Sequence, residues 1–298
     1  MKLSSTFQRR ITDVYGPDGS VWLRRLPALL RVAEERWEIR LQEPFSLSYN
    51  YVAPALREDG GRAVLKAGFP SRETRNEIAA LRHFDGHGSA RLIDADPERG
   101  LLLLERIEPG TALVALHDDD AATAIAAAVM RALSRPPDGA YPFPTVAGWA
   151  ARFTAAPTDA RGPLPSRLVA AAEAHFQELL ASSGEAVVLH GDLHHENVLD
   201  AGGGAWVSID PKGVIGERAY EAGALLRNPL PGIVSWPDLP RILRRRVDRL
   251  SEEMGIDRAR IIGWGVAQAV LSAFWSYEDH GRGWEPAIAV AASLEALT

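Results

Sequence analysis

The chain has 298 residues, with 33 Lys and Arg against 39 Asp and Glu for a formal net charge of -6, and 46% of it is hydrophobic. That balance can fill one large core or two modest ones, and it argues against nucleic-acid binding, which wants a basic face. With no cysteine, disulfide scaffolds and thiolate metal sites are excluded; with no signal-peptide core and no apolar run near the roughly 18 residues of a membrane span, a soluble, cytoplasmic protein without membrane partners is expected.

In chain order, residues 21–39, VWLRRLPALLRVAEERWEI, space apolar side chains by three and four and predict an amphipathic helix, with Pro27 as a possible kink. SLSYNYVAPAL and RAVLKAGF read as strands joined across Asp59-Gly60-Gly61. SRETRNEIAALRHF follows as a helix with Ser71 as its N-cap. RLIDAD and LLLLERI are two more strands around a turn at 97–100.

From Glu108-Pro109-Gly110 the pattern turns helical. DDDAATAIAAAVMRALS opens on acids that suit a helix N-terminus, and 163–183, 238–254 and 257–279 are further helices. Gly263 and Gly265 weaken the last of these. One β interruption, VVLHGDL, NVLD and AWVSID, lies among them, with Gly202-Gly203-Gly204 as a hairpin turn rather than a phosphate loop. The expected division is a strand-rich unit at 1–107 with a helical extension, and a mainly helical unit at 108–298.

VVLHGDLHHENVLD at 187–200 sets much polar chemistry between apolar runs. Two chemistries compete for it: a metal-ligand cluster, or a phosphoryl-transfer loop. Asn197 lies five residues after Asp192, and Asp210 eighteen after it, at the end of the strand WVSI. Kinase-type transfer uses these residue types: one carboxylate at the acceptor hydroxyl, then an Asn and an Asp on Mg²⁺. Lys66 supports this side, because a Lys inside a buried strand needs a partner. Glu73 and Glu77 share a face of the next helix, and Glu77 is preferred because it precedes the apolar run Ile78–Leu81. The metal-hydrolase alternative rests on His190, His194 and His195, which match common zinc ligands, but it leaves Lys66 and Asp210 unexplained. No GxxxxGK[ST] is present, which excludes a P-loop enzyme.

HGDLHHEN at 190–197 resembles the catalytic loop of the aminoglycoside phosphotransferases and their choline- and fructosamine-kinase relatives. VLKAG at 64–68, NEIAALR at 76–82, LLLLERIEPGTAL at 101–113 and IDPKGVIGERAYEAGALLRNP at 209–229 narrow the resemblance to the aminoglycoside/hydroxyurea resistance kinases.

The resemblance implies an α+β, two-lobed protein-kinase-like fold and an ATP- and Mg-dependent O-phosphotransferase acting on a small molecule. In that scheme Asp192 orients the acceptor hydroxyl, Asn197 and Asp210 bind Mg²⁺, Lys66 meets the ATP phosphates and Glu77 positions Lys66. The Glu105 carbonyl and the Ile107 amide would meet the adenine edge. The turn over the phosphates has no glycine, so Ser46, Ser48, Asn50 and Tyr51 are the available donors there. Glu221, where relatives commonly carry Asp, is read as structural. The branch suggests a cationic, hydroxylated acceptor such as streptomycin, with transfer to its 6-hydroxyl and Glu278 and Asp279 facing its guanidinium groups. A metabolic kinase of another hydroxylated compound and a nucleotide-binding pseudoenzyme are the alternatives.

Overall fold

The computed structural model describes residues 3–157 and 161–297. The chain divides into two compact units, one made of Met1–Gly86 and Ala90–Glu108, the other of His87–Ser89 and Pro109–Thr298. Among the described residues no helix is long and apolar enough to cross a membrane.

The first unit opens with α1 (Ser5–Trp37), capped by Ser4, whose hydroxyl accepts the Phe7 amide at 3.2 Å. The helix expected over 21–39 is therefore the second half of a longer element. The two halves meet at Gly16, whose φ of 54° and ψ of -135° suit glycine alone. Pro17-Asp18-Gly19 reads as a turn, which hides the first half from a periodicity argument. Pro27 leaves its backbone helical.

Strands β1 (Ile39–Leu41), β2 (Tyr51–Arg57), β3 (Arg62–Ala67), β4 (Leu92–Asp96) and β5 (Leu101–Glu105) form one antiparallel sheet in the order β1-β2-β3-β5-β4. β1 is absent from the sequence reading, whose helix ends on the strand's first residue, Ile39. Helix α2 (Arg72–Phe84) starts at Ser71, whose hydroxyl accepts the Thr74 amide.

Each face of the sheet is covered. Phe7, Ile11, Trp22, Leu26 and Leu30 of α1 pack with Ala63, Leu65, Ala67, Leu101 and Leu103. Ile78 and Leu81 of α2 pack with Val64, Leu102 and Leu104 on the other side. Burial on both faces explains why β5 reads as an unbroken Leu run rather than an alternating one. The two-residue period of β3 then sets Lys66 on the α2 side, with Val64.

The second unit contains α3 (Asp119–Leu133), α4 (Val146–Ala155), α5 (Ser166–Ala181), α6 (Ala222–Arg227), α7 (Leu239–Met254), α8 (Arg258–His280) and α9 (Glu285–Glu295). Between them lie β6 (Ala186–Leu189), which pairs with β9 (Val214–Glu217), and the hairpin of β7 (Val198–Gly202) and β8 (Ala205–Ser208). Gly203 and Gly204 both take positive φ at the hairpin tip, as a tight two-residue turn requires.

Helix α8 is the axis of this core. A side chain at Gly263 would press on His175 and Leu179, and one at Gly265 on Leu226 and Leu294. The two glycines therefore admit close packing by α5, α6 and α9, which outweighs their low helix propensity. Trp264 between them is fully buried, and its indole N–H donates to Glu217.

Arg246 of α7 is fully buried as well. Its guanidinium donates to Asp119 at the start of α3, to the Leu225 and Asn228 carbonyls at 2.9 and 2.6 Å, and faces His195 Nε2 at 3.3 Å. Removing one partner of such a network strands the others. Arg246→Met should therefore lower the free energy of unfolding by about 3–5 kcal/mol. Urea denaturation followed by circular dichroism measures this, and a midpoint equal to the wild type's would contradict it.

Candidate active site

The loop between β6 and β7 is built from the backbone outward. Gly191 has φ of 82°, and a Cβ there would lie 2.9 Å from Val214 Cγ1. Only glycine fits this bend. The bend turns the His190 and Gly191 amides toward Glu221, whose carboxylate oxygens accept them at 2.7 and 3.0 Å, with the Leu193 amide adding to the set. Burial pushes the Glu221 carboxyl up to about 7, against the lowering effect of these amides.

His190 is also fully buried. Its Nε2 donates to the Ile209 carbonyl at 2.8 Å and its Nδ1 accepts the Asp192 amide at 3.2 Å. Burial lowers its pKa to about 4, so it stays neutral near pH 7. His194 Nδ1 accepts the Glu196 amide, and its Nε2 lies 3.3 Å from Asn197 Nδ2 and 4.0 Å from Asp192. His195 faces Arg246 instead. The three imidazoles thus serve three different partners and do not converge. Among the described residues no group of three or more His, Asp or Glu is arranged to hold a metal.

Asp192 keeps 22% of its side chain exposed. Burial by itself would raise its pKa; Arg227 first, then Lys212, His194 and His190 outweigh it and hold the carboxyl at about 2. Arg227, the last residue of α6, contacts Asp192 Oδ1 at 2.7 Å.

Asn197 Nδ2 donates to the Asp192 carbonyl at 3.0 Å, so the carboxamide oxygen is the atom it could offer to a metal. The Ile209 amide donates to the Asn197 carbonyl at 2.9 Å, so the residue before Asp210 is stitched to both ends of the loop. Asp210 is exposed and left-handed, with φ of 59°. Backbone strain of this kind costs on the order of 1–3 kcal/mol and gathers at functional sites, though Asp tolerates it better than most residues. A carboxamide oxygen and a carboxylate form a hard donor pair, suited to Mg²⁺ held jointly with phosphate oxygens.

In the first unit, Lys66 Nζ donates to Glu77 Oε1 at 2.6 Å, and both residues are buried. Glu73, one helical turn earlier, is exposed. Glu105 ends β5; its amide donates to the Arg91 carbonyl and its side chain accepts the Arg91 amide. Ile107 follows just outside the strand. Ser48 is exposed in a bend that the Phe45 amide closes by donating to the Val52 carbonyl at 2.9 Å.

Glu278 and Asp279 lie exposed near the end of α8. Glu278 already accepts Arg152 Nη2 on both oxygens, at 2.8 and 2.7 Å. Its nearest cation is thus one of the chain's own, which the sequence reading did not anticipate. Trp275 packs edge-on against Trp149, and Trp284 packs on the same core.

Sequence reasoning assigned no role to Arg227, although a signal was available. An arginine that ends the apolar run AGALL must find a partner if the run is buried.

A sheet carrying a buried Lys–Glu pair, together with a helical unit carrying Asp192, Asn197 and Asp210, is the architecture of the small-molecule kinases with a protein-kinase-like fold. A choline kinase from Streptococcus pneumoniae superposes with a TM-score of 0.64 over 90% of this chain and 99% of its own, at 13% identity. Residues 36–280 match the family model described as aminoglycoside/hydroxyurea antibiotic resistance kinase, and the chain belongs to that family. A streptomycin 6-kinase of Streptomyces glaucescens is 36% identical over 280 residues, 92% of this chain and 90% of that protein. A hydroxyurea phosphotransferase of Kitasatospora aureofaciens is 35% identical over 276 residues, 89% and 77% of the two. The protein is accordingly a small-molecule phosphotransferase.

The buried ionisable groups make folding pH-dependent. His190 and His195 have pKa values of about 4 and about 3, below the ordinary 6.5, so between these values the unfolded chain binds protons that the fold refuses. Their contribution is lost as pH falls. Glu221, raised from 4.5 to about 7, has the opposite sign: its contribution is present below 4.5 and lost as pH rises toward 7. With two groups against one, these three should cost about 1.4 kcal/mol of stability per pH unit on acidification from about pH 6.5 to 4.5. His175 and His194, also lowered by burial, add the same sign. Glu221→Gln removes the opposing group and should steepen the slope. Urea unfolding across this range, without nucleotide or metal, tests both signs; stability rising on acidification would refute the assignment.

Proposed function

We propose that the protein transfers the γ-phosphoryl group of Mg-ATP to a hydroxyl of a streptomycin-type aminoglycoside, at the position corresponding to the 6-hydroxyl. One observation carries the reading: a partly exposed Asp192 carboxylate, kept ionised and fixed by its neighbours, five residues before a carboxamide with a free ligand oxygen. The choice of acceptor is supported by the 36% identity to a streptomycin 6-kinase over nine-tenths of both chains.

Bound Mg-ATP supplies the transferable phosphoryl group and, through its metal, neutralisation of the charge on it. Asp192 Oδ2 accepts the hydrogen bond of the acceptor hydroxyl and points its oxygen at the phosphorus. A carboxyl with a pKa of about 2 is a weak base, so alignment is the larger part of this task. Asn197 Oδ1 and the Asp210 carboxylate would hold the metal. Lys66, braced by Glu77, holds phosphate oxygens, which its position in a stiff central strand suits. The Glu105 carbonyl and Ile107 amide bind the adenine edge, and Ser48 with its neighbours covers the phosphates. The transition state of such transfers is loose, so positioned charge supplies most of the acceleration.

A second acceptor is favoured by a separate observation, the 35% identity to a hydroxyurea phosphotransferase. Net charge of -6 suits the cationic aminoglycoside better than the neutral, smaller compound. A substrate guanidinium reaching Glu278 would have to displace Arg152.

Incubation of the purified protein with Mg-ATP and streptomycin, followed by mass spectrometry, should show one added phosphoryl group. Unmodified streptomycin beside phosphorylated hydroxyurea would reverse the choice of acceptor. Asp192→Asn should reduce kcat by about 10²–10⁴ with little change in nucleotide affinity. Lys66→Ala should raise the KM for ATP and lower kcat, Glu77→Ala should do so more mildly, and Glu73→Ala should do little. Equal effects of the two Glu variants in steady-state kinetics would remove Glu77 from its proposed role.

A further inference from the structure

Asp192 is held by a relay of two buried side chains, one on α6 and one on α8. Arg227 ends α6 and is buried. Its Nη2 donates to Asp192 Oδ1 at 2.7 Å, and its Nη1 donates to Gln268 Oε1. Gln268 lies in the buried middle of α8, and its Nε2 reaches the Tyr220 carbonyl at 3.4 Å. There is little room for it to move: a Cβ on Gly223 would fall 2.5 Å from its Oε1. The arginine is thus pinned to the buried middle of α8.

We infer that Arg227, braced by Gln268, is the positioning residue of the phosphoryl transfer: it occupies Asp192 Oδ1, fixes the carboxylate plane, and leaves Oδ2 as the single acceptor for the substrate hydroxyl. This rests on the kinase reading above and assigns a role to a residue of the 209–229 stretch to which the sequence reading gave none.

The chemistry of the pair supports it. A carboxylate has two equivalent oxygens and a soft terminal torsion, so without a partner it can present either one over a range of angles. A guanidinium fork ties one oxygen in a set direction because its other arm is tied elsewhere. His194 Nε2, 4.0 Å from Oδ2, is too far to occupy that oxygen. Misplacing a reacting group by about 1 Å can cost on the order of 10²-fold in rate, which sets the scale expected here.

The test is steady-state kinetics with Mg-ATP and whichever acceptor the wild type phosphorylates. Arg227→Gln should lower kcat by about 10–10²-fold, while both KM values stay within about twofold. Arg227→Lys keeps the charge but cannot serve Asp192 and Gln268 together, and should recover only part of the loss. In an Asp192→Asn background, adding Arg227→Gln should change kcat by less than about threefold, since the residue acts through Asp192. Gln268→Leu leaves the ion pair intact and should lower kcat by a smaller factor; it also serves as the readout if Arg227→Gln does not fold. The inference fails if Arg227→Gln retains full kcat, or raises the KM for ATP without lowering kcat, which would mark a phosphate contact. It fails equally if the loss is the same in both backgrounds, or if Gln268→Leu folds and is fully active. A wild type inactive toward every acceptor offered would remove the kinase reading itself, and this role with it.

Discussion

Glu221 accepts the amides at the head of the loop that carries Asp192, and the geometry around Asp192 depends on that contact. A loop that turns through a left-handed glycine exposes successive N–H groups on one side, and buried N–H groups must find acceptors. One carboxylate serves several of them at once. It stands where β9 passes into α6, so the strand paired with β6 and the helix ending in Arg227 are anchored by the same residue. His190 completes the arrangement from inside the loop by joining the Asp192 amide to the Ile209 carbonyl. The backbone of Asp192, the segment carrying Asp210 and the start of α6 are thereby held by polar contacts that water does not reach.

Within this frame the acid–base properties of Asp192 follow from its neighbours. A carboxyl held at about 2 is ionised near neutral pH. It accepts a hydrogen bond well and takes up a proton poorly. That suits phosphoryl transfer, where little negative charge builds on the attacking oxygen before the bond to phosphorus is advanced. The same low pKa would suit a general base badly in a reaction needing full deprotonation of the nucleophile. The charge state of the site therefore agrees with the family to which the chain belongs.

Much of this was legible in the sequence, for definite reasons. Period-two and period-3.6 patterns located β2 to β5, α2, α3, α5, α7 and α8, because each presents a clear apolar face or an uninterrupted apolar run. Lys66 and Glu77 could be paired in advance, since a buried cation in a strand has few candidates within one helix. Several of the elements missed, which also include α4 and α9, share a different property. The first half of α1 hides behind Pro17-Asp18-Gly19, and β1 and β9 are three and four residues long. α6 is a short helix surrounded by core, so it carries no polar face for periodicity to detect. Arg227 and Gln268 escaped assignment because their partners lie 35 and 41 positions away along the chain, and Glu221, read as structural, could not be matched to an amide 30 positions away. Local spacing predicts which residue types gather in a loop; it does not predict which distant side chain holds one of them still.

The Arg227–Asp192 pair is also poorly explained as a device for stability. Burying two charges costs several kcal/mol per ion before their attraction offsets it, and apolar replacements of similar volume often leave proteins equally or more stable. The second unit offers apolar neighbours in abundance around α6, so nothing in its packing demands an arginine there. What demands it is the aspartate. In the proposed reaction the carboxylate at the acceptor hydroxyl must stay ionised while most of its surface is buried, and must keep one orientation. A mobile surface lysine meets the first requirement and fails the second. A guanidinium anchored at both arms meets both, and the anchor on α8 explains why a glutamine is retained within an otherwise apolar stretch of helix. Arg227 and Gln268 are thus placed by the needs of one carboxylate, and the hydrophobic packing around them keeps each donor aimed at its acceptor.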